Sequence, residues 1–169
     1  IKSVATNSVF YWTNNTTEPY KGFRKGRSWS MRSKDIEIIK SKIPEVDVVS
    51  PMLFGGMRTP KNTIRGEKSG SYRIKGLNPD YVKIDKPEII YGRYINDIDI
   101  QQRRKVVVIG YKVYEDLYKI GEKPVGTTIK VNGIYYTVIG VVKGNSHMNI
   151  NGPMDQSVLL PYTTMQVAY

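Results

Sequence analysis

The sequence predicts a mixed, β-rich α+β fold, and three observations carry that prediction. Tyrosine is heavily used, at 13 of 169 residues, and Val and Ile are frequent, a bias toward side chains that pack well on a pleated surface. Asn132-Gly133 separates two branched runs, 127–131 and 134–142, a strong hairpin signal because both turn residues need positive φ. The strand and helix patterns follow a mixed order instead of an alternating βαβ series.

In chain order, residues 8–12 read as a strand and the polar residues 13–17 as an exposed loop. Asn14 and Asn15 each match a glycosylation acceptor pattern, a weak signal. Residues 34–43 predict a helix. Ser33 can cap it, Asp35 and Glu37 suit its positive end, and Lys40 and Lys42 suit the other. Ile36, Ile39 and Ile43 share one face, and Pro44 ends the element. Val46, Val48 and Val49 start a strand running toward Phe54, with Gly55-Gly56 as a turn or bulge. Residues 57–75 read as a basic hairpin around Pro60-Lys61-Asn62, punctuated by Gly66 and Gly70. Tyr72 and Ile74 alternate with Arg73 and Lys75, as in a strand with one wet face.

Asn78-Pro79-Asp80 starts a helix or turn, and a loop through Lys86-Pro87 reaches Tyr91-Gly92-Arg93-Tyr94. Residues 105–109 read as an apolar strand buried on both faces and closed by Gly110. Residues 111–120 predict a helix with Val113, Tyr114, Leu117 and Tyr118 on its apolar side and Gly121 as its stop. Beyond the Asn-Gly hairpin, residues 143–153 form a polar, Gly-rich loop. Residues 157–160 are the last strand, and residues 161–164 begin a turn or helix.

Composition narrows the chemistry. The length suits one compact domain or two small subdomains, with room for a real core. The absence of cysteine removes disulfides, thiolate metal sites and cysteine nucleophiles together, and the single His147 gives no basis for a zinc site or a histidine-dependent triad. No phosphate-binding Gly-x-x-x-x-Gly-Lys-Ser/Thr loop and no Gly-x-Ser-x-Gly elbow occurs. Asp97 and Asp99 form the one carboxylate pair of interest. A Ca²⁺ loop would need further spaced ligands, so a turn that caps a helix is the simpler reading. The formal charge is +11, and Arg58, Lys61, Arg65, Lys68, Arg73 and Lys75 could form a basic ribbon with Tyr72 available for stacking. That makes a nucleic-acid-binding module the alternative function. The basic residues are nevertheless scattered, and no RRM, KH or zinc-finger signature accompanies them. No stretch approaches the roughly 20 apolar residues of a membrane span. The chain lacks a start methionine and a signal-peptide pattern, and it is read as a piece of a longer protein.

An ordered set of motifs adds a family resemblance. Gly76-Leu77-Asn78-Pro79-Asp80-Tyr81 precedes Gly92-Arg93-Tyr94-Ile95, Asp97-Ile98-Asp99 and Val106-Val107-Val108-Ile109-Gly110. Pro124-Val125-Gly126-Thr127-Thr128-Ile129, Tyr136-Thr137-Val138-Ile139-Gly140-Val141 and Leu160-Pro161-Tyr162-Thr163-Thr164 follow. This succession resembles the MacB-like periplasmic core domain of FtsX-family ABC transporter permeases. Thr6-Asn7-Ser8-Val9 and the helix and strand of residues 34–51 agree more loosely.

The resemblance implies two subdomains: residues 1–50 as the N-terminal half of a porter-like strand-helix unit, and residues 51–169 as a Sabre-like β-rich subdomain. It implies a non-enzymatic domain with no cofactor and no metal, on the periplasmic side of the inner membrane of a Gram-negative bacterium. Its implied partners are a periplasmic adaptor or lipoprotein carrier, an ABC ATPase domain in the parent protein or complex, and the membrane through flanking segments. The intact transporter would be a homodimer or heterodimer, and nucleic acid is not among the partners. Gly92, Gly110, Gly126, Gly140 and Pro161 match the family framework as turn and packing positions. Met148 and Ile150, apolar amid polar neighbours in the 144–153 loop, are the candidate partner contacts.

Overall fold

The computed structural model describes residues 9, 11, 21, 31–55, 60–144 and 154–168. The chain divides into two compact units, with a boundary between Val49 and Ser50. The expected strand at residues 8–12 and most of the 143–153 loop lie outside the described residues.

In the first unit, α1 spans Ser33–Lys42. Its N-cap position is Arg32, one residue before the expected Ser33. Asp35, in the first turn, accepts the Arg32 backbone N–H at 2.7 Å, which satisfies a donor the helix leaves open. Ile43 N–H closes the other end on the Ile39 carbonyl at 3.0 Å, directly before Pro44. Ile36 and Ile39 are half-buried, whereas Ile43 is exposed. Residues 46–51 belong to no strand.

Among the described residues, the second unit is built on nine strands. These are β1 (Met52–Gly55), β2 (Thr63–Arg65), β3 (Lys68–Gly70), β4 (Arg73–Leu77), β5 (Glu88–Gly92), β6 (Val106–Gly110), β7 (Thr128–Val131), β8 (Ile134–Lys143) and β9 (Ser157–Pro161). They form one mixed sheet in the order β1-β4-β9-β6-β8-β7-β2-β3, with β5 also paired to β8. The β4/β9 and β6/β8 pairs are parallel and the others antiparallel. Three further helices are α2 (Asp97–Gln101), α3 (Tyr111–Leu117) and α4 (Tyr162–Ala168). Asn132 and Gly133 both have positive φ, 47° and 84°, as the hairpin between β7 and β8 requires.

Alternation along the central strands sorts the core. Ile74, Val107, Ile109, Val158 and Leu160 share a buried cluster with Val113, Tyr114 and Leu117 of α3 and Met165 of α4. The intervening Leu77, Val108 and Leu159 are buried outside that cluster, so the middle of the sheet is covered on both faces. Gly76 sits under α4, where a Cβ would come within 2.9 Å of the Met165 sulfur. Gly140 pairs with Gly92 across β5/β8, and a Cβ there would strike the Arg93 carbonyl oxygen.

Two further expectations, in the basic segment, are corrected. The hairpin of the basic segment turns at Gly66 (φ 60°) between β2 and β3, not around residues 60–62. Lys75 does not line a wet face. β4 is an interior strand between β1 and β9, and Lys75 is 6% exposed.

Candidate functional site

Asp97 and Asp99 do not make a catalytic pair. Asn96 precedes α2 and accepts the Asp99 N–H at 3.0 Å, while Asp99 accepts the Asn96 N–H at 3.0 Å, a reciprocal cap. Position three of the first turn faces inward, so Asp99 is completely buried and Asp97 remains exposed. Arg93 donates to both Asp99 oxygens, at 2.7 and 3.2 Å, and Arg104 stands 3.7 Å from one of them. Burial alone would raise the Asp99 carboxyl. The Arg93 fork, the Asn96 N–H and the Arg104 charge outweigh it and hold the group below the usual carboxylate range. A carboxylate so engaged cannot exchange protons near neutrality and has little capacity left for a cation. It is a structural anchor. Thr163 and Thr164 of α4 donate to the Ile100 and Arg104 carbonyls at 2.6 and 2.7 Å, tying α4 to the same junction.

The basic ribbon does not form as expected. The Tyr72 ring is buried and its hydroxyl donates to Asp116 at 2.8 Å, so it is not offered for stacking. Lys75 is interior. Arg65 folds onto the Tyr118 ring, 3.9 Å from its centroid, and binds Glu122 at 2.6 Å and the Leu117 carbonyl at 3.2 Å. Lys61 and Lys68 remain exposed, and Arg58 lies outside the described residues.

The junction around Arg65 escaped sequence reasoning because its partners stand 57 positions apart. Tyr114 donates to the Glu122 carbonyl at 2.6 Å and stacks on Tyr118 at 5.3 Å between ring centroids. The Arg65 bond and the Lys119 backbone N–H together hold the Glu122 carboxyl below its ordinary value. Among the described residues, no group of three or more His, Cys, Asp or Glu side chains could hold a metal. No described helix is long and apolar enough to cross a membrane. Met148 and Ile150, with His147, lie outside the described residues.

What the geometry presents is a framework of anchored junctions, and comparison with known proteins says whose framework it is. The model of the MacB-like periplasmic core domain matches residues 2–169. The chain belongs to that family. It is 35% identical over 136 residues to the macrolide export ATP-binding/permease protein MacB of Bdellovibrio bacteriovorus, covering 77% of this chain and 19% of that protein. It is 26% identical over 128 residues to the pyoverdine export ATP-binding/permease protein PvdT of Pseudomonas syringae pv. syringae, covering 75% and 19%. The chain thus spans about a fifth of the length of these relatives.

Two solved structures share the fold. The periplasmic region of MacB from Actinobacillus actinomycetemcomitans superposes with TM-score 0.66 at 21% identity, covering 90% of this chain and 64% of that one. The extracellular domain of the noncanonic ABC-type transporter YknZ from Gram-positive bacteria does so with TM-score 0.66 at 20% identity, covering 82% and 66%. The mixed α+β architecture expected from the sequence is therefore the family's.

Proposed function

We propose that this chain is a non-catalytic extracytoplasmic domain of an ABC transporter permease. In this reading it couples ATP hydrolysis on the cytoplasmic side to export or release of a substrate through contacts with partner proteins. The observation that carries the reading is the family match over residues 2–169. The names of the relatives, which join an ATP-binding part to a permease, supply the context. Two charged joints, Arg93–Asp99–Arg104 and Arg65–Glu122, fasten separate elements to one another, as a mechanical role would need.

The parent would sit in the inner membrane of a Gram-negative bacterium with this domain facing the periplasm. Flanking segments would enter the membrane, and the intact transporter would be a homodimer or heterodimer. A periplasmic adaptor or lipoprotein carrier would bind outside, and an ABC ATPase, fused or separate, would work inside. Residues 1–50 would contribute half of a porter-like subdomain, and residues 51–169 the Sabre-like part.

Sequencing the coding DNA on both sides of this chain tests the reading. Membrane-length apolar segments of about 20 residues on both flanks, with a fused or adjacent ATPase, are expected. Soluble flanks would overturn it. Coupling is tested separately, by the ATPase rate of the reconstituted full-length protein with and without the adaptor. A rate indifferent to the adaptor would remove the coupling claim.

A further inference from the structure

Between α3 and β7 the chain makes two successive turns of the same kind. Glu122 N–H bonds the Lys119 carbonyl at 3.0 Å, with Gly121 at φ 81° in the third position. Thr127 N–H bonds the Pro124 carbonyl at 3.1 Å, with Gly126 at φ 90° in the third position. Both are type II turns, where glycine is needed third and proline is favoured second. Here the second positions hold branched apolar residues. Ile120 is fully exposed and Val125 is 47% exposed. A single exposed isoleucine is ordinary. Here an isoleucine and a valine are both exposed on paired turns within six residues, at the outermost positions of an ordered segment.

The segment is fastened from several directions. Arg65 and the Lys119 N–H bind the Glu122 side chain, and Tyr114 binds its carbonyl. The Tyr118 hydroxyl pairs with Thr127, and Gly126 N–H and Val138 N–H tie the second turn to β8 at 2.8 Å each. The backbone is thus ordered before anything binds, which removes an ordering cost that association would otherwise carry. Lys119 and Lys123, both exposed, flank the apolar positions.

We propose that residues 119–126 form a preorganised docking element that seats Ile120, with Val125 on the following turn, in an apolar recess bordered by carboxylates on a different polypeptide. Charge chooses the occupant. A second copy docked through the same turns would bring Lys119 and Lys123 against the same pair of lysines, whereas an acidic rim complements them. A lipid surface is the poorer fit. The turns carry no exposed aromatic side chain and no amphipathic helix, and membrane insertion gains little from a rigid backbone. The inference rests on the reading that the parent protein works through partners, and it names the surface involved.

The test places a photo-crosslinking phenylalanine analogue at position 120 of the full-length gene product in its own host, with position 135 as control. Tyr135 is 64% exposed, on β8. Expected is one discrete protein adduct from position 120 and none from 135, mapping to a partner segment rich in Asp and Glu. Lys119→Glu with Lys123→Glu should lower its yield about tenfold, the loss of one decade in affinity. Lysine substitutions in the mapped acidic segment should restore it. Adducts with lipid only, adducts with a second copy, the same adducts from position 135, or a yield indifferent to charge reversal would each overturn the proposal. Crosslinking does not depend on transport. Loss of the adduct with membrane-spanning flanks present would sink the docking element alone, and soluble flanks with the charge-sensitive adduct would sink the permease reading alone.

Discussion

Asp99 and Lys75 are two interior charges that the fold treats in opposite ways. Asp99 is surrounded by donors: a bidentate arginine, a second arginine at 3.7 Å, and a backbone N–H of its own helix cap. Its charged form is stabilised inside the protein, and its carboxyl is held low. Lys75 lies on an interior strand where burial dominates. The Asp85 charge opposes that effect and Arg73 reinforces it, leaving the ammonium depressed from 10.5 to about 8. Burial of a charge is thus no measure of its contribution. What decides is whether enough partners replace the lost water.

Breaking the Asp99 junction should have the largest effect. Asp99→Ala removes the anion, strands the Arg93 fork and deletes a helix cap, for a loss of about 3–5 kcal/mol in urea unfolding. Asp99→Asn keeps the shape and part of the cap and should lose less. A change below about 1 kcal/mol for the alanine variant would mean that the arginines are satisfied without it. The pH dependence follows from the depressed carboxyl. The stability it confers is fully present above its ordinary value of 3.8 and is lost as pH falls through the lower folded value.

Lys75 should show a dependence of the same sign in a different pH window, because the fold favours its neutral form. Between about 8 and 10.5 the unfolded chain holds the lysine proton and the folded one does not, so stability from this group rises with pH. The full span corresponds to roughly 3 kcal/mol. Tyr72, Tyr81 and Tyr94 work against it near the top of that range. Burial raises all three hydroxyls first, helped by Asp116 at Tyr72, by Asp85 at Tyr81, and by Tyr81 and then Asp85 at Tyr94, and tyrosine stability is lost as pH climbs. The difference between wild type and Lys75→Met cancels the tyrosines. It should move in favour of wild type by about 2 kcal/mol from pH 7 to pH 10. A flat difference would mean that Lys75 titrates normally.

The contrast also marks how far local pattern reaches. The Asn132-Gly133 hairpin, the buried run of β6 and the apolar side of α3 follow from neighbours in sequence; the hairpin and β6 are found where the pattern puts them, whereas α3 ends at Leu117, short of the expected Ile120, with Tyr118 already extended. The capping role of the Asp97–Asp99 stretch is visible too, because a reciprocal cap spans only four residues. Lys75 was misplaced because Arg73 and Lys75 alternate with Tyr72 and Ile74 as they would in a half-wet strand. What buries Lys75 is β1 and β9 on either side, and β9 begins 82 positions away. β5 does not stand out from the loop expected through Lys86-Pro87 for a similar reason, since its partner is the far half of β8. The depth of Asp99 also depends on Arg104 and on α4, which no spacing within residues 94–99 announces.

The two arginines refine the comparison at its smallest scale. Arg93 meets Asp99 with both arms of its guanidinium and spends a further bond on the Tyr94 carbonyl at 3.1 Å. Arg104 approaches one oxygen at 3.7 Å with a side chain 43% exposed, a distance at which charge acts and a hydrogen bond does not. A lysine can supply the charge but not the fork. Arg93→Lys should therefore cost about 1–2 kcal/mol, and Arg104→Lys no more than about 0.5 kcal/mol, in the same unfolding experiment. Equal losses would show that charge alone holds Asp99. The predicted inequality would show that geometry does.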